Sequence, residues 1–163
     1  MAREFTVSGG GQTLVNANVT LVFINPAASP NFNIGILRCW IGQSATATSA
    51  QQRVALYTQV TAFPTVVSTT PAKLKRADPN VSVIVGGTGG QGTAGINASA
   101  EGAGTKTTIF EDAFNILNGW LYVPTPAEMI VVPAGSASGF GMWLPVAPGN
   151  TANWSFGVTF AEL

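Results

Sequence analysis

Residues 36–59 read ILRCWIGQSATATSAQQRVALYTQ. Two apolar runs rich in aliphatic and aromatic side chains, 36–41 and 53–60, flank a polar span of small residues, 42–52. The pattern predicts a strand, an exposed loop and a second strand. Cys39, Trp40, Arg38 and Arg53 gather here, but none has the company a catalyst needs. The stretch therefore reads as scaffold, with the loop 42–52 as the place to meet a neighbour.

The rest of the chain repeats this grammar. Residues 3–7 form a short alternating strand and 8–11 a flexible break. Residues 13–24, TLVNANVTLVFI, predict a longer strand with a bulge at 16–18. The prolines and asparagines of 25–33 make a loop, and Phe63-Pro64 ends the strand before it. Thr70 can cap a short helix near 71–77, with Pro71 in its first turn and Pro79 as its stop. A strand over 81–85 leads into the glycine-rich segment 86–107. A phosphate loop there would need its G-x-x-x-x-G-K-[ST] spacing and a following helix, and both are missing. A long loop, or strands packed too closely for side chains, accounts for the glycines.

The last third alternates most clearly. Trp120 and Tyr122 oppose Leu117, Gly119, Leu121 and Val123 across 117–123, and 127–132 is the next strand. Phe140, Met142 and Leu144 alternate with Trp143 opposite, and Trp154, Phe156, Val158 and Phe160 alternate in the final strand. About eight to ten strands with frequent Gly/Pro turns predict an all-β chain: a single domain over 1–163, sandwich or barrel, with one short helix. Several strands are apolar on both faces, which predicts that the second face meets another chain.

Composition narrows the function classes. Of 163 residues only 9% are charged, and seven basic side chains cancel seven acidic ones. With a mean hydropathy of +0.31, so little charge favours a homo-oligomer whose surface is shared between copies. Neutrality argues against a nucleic-acid surface. The one basic cluster, Lys73, Lys75 and Arg76, reads as a solvated turn or an electrostatic contact. With a single cysteine and no histidine, the Ser-His-Asp and Cys-His systems and the common zinc sets are absent. Glu111 and Asp112, adjacent on a strand, point to opposite faces and cannot be a glycosidase pair. The chain reads as non-catalytic, without cofactor or metal. The aromatics Trp40, Trp120, Trp143, Trp154, Tyr57 and Tyr122 serve either the core, a subunit interface or a sugar-stacking platform. No run approaches a membrane span, and the start has no apolar core of signal length, which predicts cytoplasmic synthesis.

Residues 36–66 (ILRCWIGQSATATSAQQRVALYTQVTAFPTV), 70–87 (TPAKLKRADPNVSVIVGG), 133–145 (PAGSASGFGMWLP) and 154–163 (WSFGVTFAEL) carry a family resemblance. Together they resemble small virion proteins of tailed bacteriophages, most nearly a capsid decoration (cement) protein. The resemblance implies a jelly-roll-like fold, a trimer, and a place on the capsid exterior among major capsid subunits. It also leaves open a head-fibre, tail or receptor-binding module that recognises glycans. No motif assigns residue roles. From the residues themselves, an N-terminal arm within 1–11, with Arg3, Glu4 and Phe5, is a candidate partner contact, the other reading being an ordinary first strand. Gln43, Gln51 and Gln52 in the polar loop, and Lys73, Lys75 and Arg76, complete the candidate contacts.

Overall fold

A computed structural model describes residues 3–15, 19–45, 48–135 and 138–163. The bulge expected at 16–18 lies outside the described residues, as does part of the loop 42–52. The strands are β1 (Arg3–Gln12), β2 (Val19–Ile24), β3 (Ile34–Gln43), β4 (Gln51–Val60), β5 (Thr65–Ser68), β6 (Ala72–Lys73), β7 (Val85–Gly86), β8 (Thr93–Ala100), β9 (Thr105–Asn115), β10 (Trp120–Tyr122), β11 (Val131–Val132), β12 (Ser138–Leu144) and β13 (Trp154–Glu162).

They form two sheets. One runs β10-β3-β13-β1-β6, with β11 also on β3; the other runs β5-β8-β2-β12-β4-β9, with the short β7 parallel to β8. All other pairings are antiparallel. Because β10 and β11 lie in line along the same edge of β3, they act as one interrupted strand. Counting them once, and setting aside β5–β8, eight strands remain. Their order is first-eighth-third-sixth in one sheet and second-seventh-fourth-fifth in the other. That is the double Greek key of a jelly roll. Residues 61–104 are an insertion between its fourth and fifth strands.

The alternation read from the sequence makes the core. Phe5 pairs with Phe160, Val7 with Val158, and Phe156 with Ile41, so these side chains line the inner face of the first sheet. Ile24 with Phe140, and Val22 and Leu56 with Met142, face them from the second. All are buried. Arg3–Gln12 is thus an ordinary first strand rather than a free arm, and Phe5 is core rather than a partner contact.

Three expectations are corrected. No helix forms at 71–77. Seven residues between two prolines cannot offset helix nucleation; instead Ala72–Lys73 pairs with Phe5–Thr6 on the free edge of β1, and Leu74 N–H donates to Glu4 O at 3.0 Å. Residues 81–84 do not form a strand because the Val83 N–H is taken by the Glu162 carboxylate at 2.8 Å and Ile84 N–H by Ser82 Oγ at 3.1 Å. The strand expected over 127–132 shrinks to Val131–Val132, preceded by a turn in which Glu128 N–H donates to Thr125 O at 3.0 Å.

Around Phe23, Tyr57 and Trp143 the second apolar face of the β5–β9 sheet is covered by the chain itself. Phe63 packs on Phe23 at 5.5 Å, and Tyr57 meets Phe23 at 6.4 Å and Trp143 at 5.8 Å between ring centroids. Over them sit segments 61–64 and 101–104, so close that a Cβ on Gly104 would strike Thr61 O. The glycine-rich segment therefore serves close packing, as at Gly95, where a Cβ would meet Val67 O at 2.6 Å. At the rim Glu101 accepts from Thr20 N–H and Thr20 Oγ1 at 2.6 Å each, pairs with Lys106 at 2.5 Å, and Thr20 bonds the Tyr57 hydroxyl at 2.6 Å.

Burial pushes the pKa of both Cys39 and Tyr57 well above the ordinary values. Both stay protonated in the fold at pH values where the unfolded chain ionises them. The folded state then binds more protons, so stability is full below about pH 9 and falls as the pH rises beyond it. The expected slope is about 1.4 kcal/mol per pH unit for each group once its unfolded form is ionised. Urea midpoints at pH 7, 9 and 10.5 check this, and Cys39 should react with a thiol reagent only after unfolding.

Candidate binding surface at the loop end

A jelly roll gathers four of its connections at one end. Here these are 13–18 after β1, 44–50 after β3, 116–119 after β9 and 145–153 after β12. Their described residues are tied together by hydrogen bonds. Leu14 N–H donates to Thr151 O at 2.9 Å, Ser44 N–H to Asn153 O at 3.2 Å, and Ile116 N–H to Ala50 O at 3.1 Å. Side chains add to the lattice: Asn115 Nδ2 donates to Ser49 Oγ at 2.6 Å, Gln52 Nε2 to Val146 O at 2.7 Å, and Trp154 Nε1 to Asn150 O at 2.8 Å. Loops so connected hold a shape before a partner arrives, which lowers the ordering cost of binding.

Two hollows open on this end. The larger, about 440 Å³, is lined by Trp40, Gln43, Leu117, Asn118, Trp120 and Leu121 among others. The second, about 310 Å³, is lined by Gln51, Gln52, Val146, Pro148, Asn150 and Trp154 among others. Ile116 lines both. Among the described residues no ionisable side chain lines either one. Leu121, 63% exposed, stands in register with Trp40 on the outer face of the sheet. Trp40 in turn lies across Gly157, whose missing side chain makes room for the indole. The Arg38 guanidinium sits 5.1 Å from the Trp40 ring centroid.

The candidate residues separate into two groups. Gln43, Gln51 and Gln52 meet at the loop end. Gln43 donates to Ala152 O at 3.1 Å and its Oε1 has no donor among the described residues. Gln52 is itself buried, holding Val146, so it shapes the surface from beneath. Arg3, Glu4, Phe5, Lys73, Lys75 and Arg76 gather at the opposite end of β13. Arg3 pairs with the buried Glu162 at 2.7 Å as a charge contact without hydrogen-bond alignment, and lies 4.3 Å from the Phe32 ring. Glu4 pairs with Lys75 at 3.2 Å, and Lys73 Nζ donates to Asp78 O at 2.9 Å. Since β13 is nine residues long, its two ends stand about 27 Å apart. Arg3, Lys73 and Phe5 are therefore consumed by the fold; Arg76 is exposed.

Sequence reasoning missed Leu117, Asn118, Leu121 and Val146. Leu117, Leu121 and Val146 show only as apolar residues near a Gly or Pro turn and Asn118 as a polar residue beside Gly119, and nothing local says which turns share an end. Among the described residues no three of Asp, Glu and Cys cluster to hold a metal. Tyr122 has its pKa raised by burial, with smaller contributions from Cys39 and Glu128. No family model, curated protein or solved structure matches the chain.

Proposed function

We propose that the chain is a non-catalytic structural protein of a virion, binding the outer capsid surface between major capsid subunits and stabilising the head. The jelly roll alone does not carry this, since the fold hosts many functions. The observation that carries it is the loop end: a pre-shaped surface of amide and apolar side chains, whose nearest charges, Arg38 and Asp112, are engaged by the indoles of Trp40 and Trp120. Such a surface can be buried against protein without stranding a charge. Repetition of a modest contact around a capsid then multiplies its effect. The resemblance to decoration proteins supports the same reading.

Purified protein should bind capsids assembled without it and raise the temperature at which they disrupt. Leu121→Asp places a charge on the loop end at an exposed position, so it should weaken binding at least about tenfold while leaving the melting temperature of the free protein unchanged. Wild-type protein that ignores capsids, or L121D that binds as well as wild type, overturns the reading.

A second reading rests on Trp40 and Trp120, which share the larger hollow with Gln43 and Asn118. An indole beside amide groups suits the apolar face and hydroxyls of a sugar, as in a receptor-binding module. Saturable glycan binding without capsid binding would select it.

A further inference from the structure

The two flanks of the sandwich differ. On one, the insertion extends both sheets, with β8 and β5 beyond β2 and β6 beyond β1. On the other, the second sheet ends at β9, eleven residues long. Every β9 residue from Thr105 to Ala113 except Lys106 is exposed, including the apolar Ile109 and Phe110. An edge of this kind presents a row of backbone donors and acceptors to another chain.

We propose that β9 pairs antiparallel with β9 of a second copy of this chain about a two-fold axis, joining two sheets into one. Charge selects both the partner and the register. The β9–β4 register passes from Tyr57↔Thr108 to Leu56↔Phe110, which leaves Ile109 as a bulge. Lys106 stands opposite Gln59 and Glu111 opposite Ala55. Those β4 residues point to the same face, so the bulge places Lys106 and Glu111 on one face together. The Lys106 ammonium fixes which face this is, lying 4.0 Å from the Trp143 ring and 4.9 Å from the Tyr57 ring.

Residues opposed across an antiparallel ladder must share a face. Setting Lys106 against Glu111 of the second copy satisfies this along the strand: Thr105 then opposes Asp112, Thr107 opposes Phe110, and Thr108 meets Ile109 at the axis. The two-fold repeats the Lys106–Glu111 pair. Within each copy Lys106 pairs with Glu101 and Glu111 with Arg53, and in the dimer the Lys106 ammonium turns outward from the Trp143 ring to meet Glu111 of the second copy. On the inner face, Phe110 packs 5.0 Å from Tyr122 and 6.3 Å from Trp120, so the joint brings two aromatic clusters to either side of the axis.

This contact is isologous and closes at two copies; a trimer would need a different, head-to-tail contact. Sedimentation velocity of the full chain at micromolar concentration should show a dimer that weakens as salt is raised. Ile109→Lys puts two like charges at the axis and should sediment as a monomer with an unchanged far-UV spectrum. In the T105C/D112C double variant, opposed cysteines should oxidise to a reducible interchain dimer, with buried Cys39 taking no part. A wild-type monomer or trimer, a dimeric I109K, or a T105C/D112C dimer that does not cross-link overturns the proposal. Ile109 lines neither loop-end hollow, so capsid binding and dimerisation succeed or fail separately.

Discussion

Gly141→Ala is expected to destabilise the fold by roughly 2–4 kcal/mol, the sum of overpacking and a strained or lost buried hydrogen bond. For a chain of this size that lowers Tm by about 5–15 °C. Gly141 pairs with Tyr57 across the β12–β4 ladder, and a Cβ there would run into the Tyr57 ring. The ring cannot swing away cheaply. Its hydroxyl bonds Thr20 at 2.6 Å, and Phe23 and Trp143 pack against it. Gly42→Ala is the control, since nothing lies within 4 Å of a Cβ at that position; it should change stability by less than about 1 kcal/mol. Thermal and urea unfolding of both variants decide the matter. If G141A melts with the wild type, the aromatic layer under segments 61–64 and 101–104 is looser than described.

The second large effect is expected at Glu162. Its carboxylate is fully buried and serves three partners: Arg3 at 2.7 Å, Ser82 Oγ at 2.7 Å and Val83 N–H at 2.8 Å. It therefore joins the first strand, the last strand and the insertion in one place. Glu162→Ala leaves the Arg3 guanidinium uncompensated and the Ser82 hydroxyl and Val83 N–H without an acceptor. Breaking a buried pair by removing one member costs about 3–5 kcal/mol. Glu162→Gln keeps an acceptor for Ser82 and Val83 and should lose less. Hydrogen exchange should speed up first at Val83 and Ile84 in E162A. Uniform protection across the insertion in that variant would show that Glu162 is not what holds it.

How much of this was legible in the sequence depends on how local each signal is. Alternation in 154–162 and 138–144 placed Phe156, Val158, Phe160, Phe140 and Met142 in the core because a strand's period is local. The helix expected near 71–77 failed for the opposite reason. Its caps were local, but the partner that won its backbone, the free edge of β1, lies some 65 residues earlier. Likewise, a strand over 81–85 looked sound until a carboxylate at 162 claimed the Val83 N–H and Ser82 Oγ the Ile84 N–H. Aromatics on both faces of a strand suggested a second chain. For Trp143 the chain supplies cover of its own, in Tyr57 and the loops beside it, while Trp120 and Tyr122 pack with Phe110 at the sheet edge.

The loop 42–52 illustrates the same limit from the side of function. Its polarity marked it as a meeting place; Gln43 and Gln51 line the two hollows, and the buried Gln52 supports the second from beneath. The other walls come from 116–121 and 145–150, stretches with no resemblance to it. Only the jelly-roll order brings these turns to one end. The basic cluster and the N-terminal residues, grouped with the glutamines by character, instead belong to the far end of β13.

The claim that the loop end is the binding surface has one direct test: hydrogen exchange of the protein free and bound to capsids assembled without it. The account predicts slowed exchange at 48–50, 116–121 and 145–153, with 71–85 unchanged. Protection confined to 71–85, with the loop end exchanging as in the free protein, would contradict it.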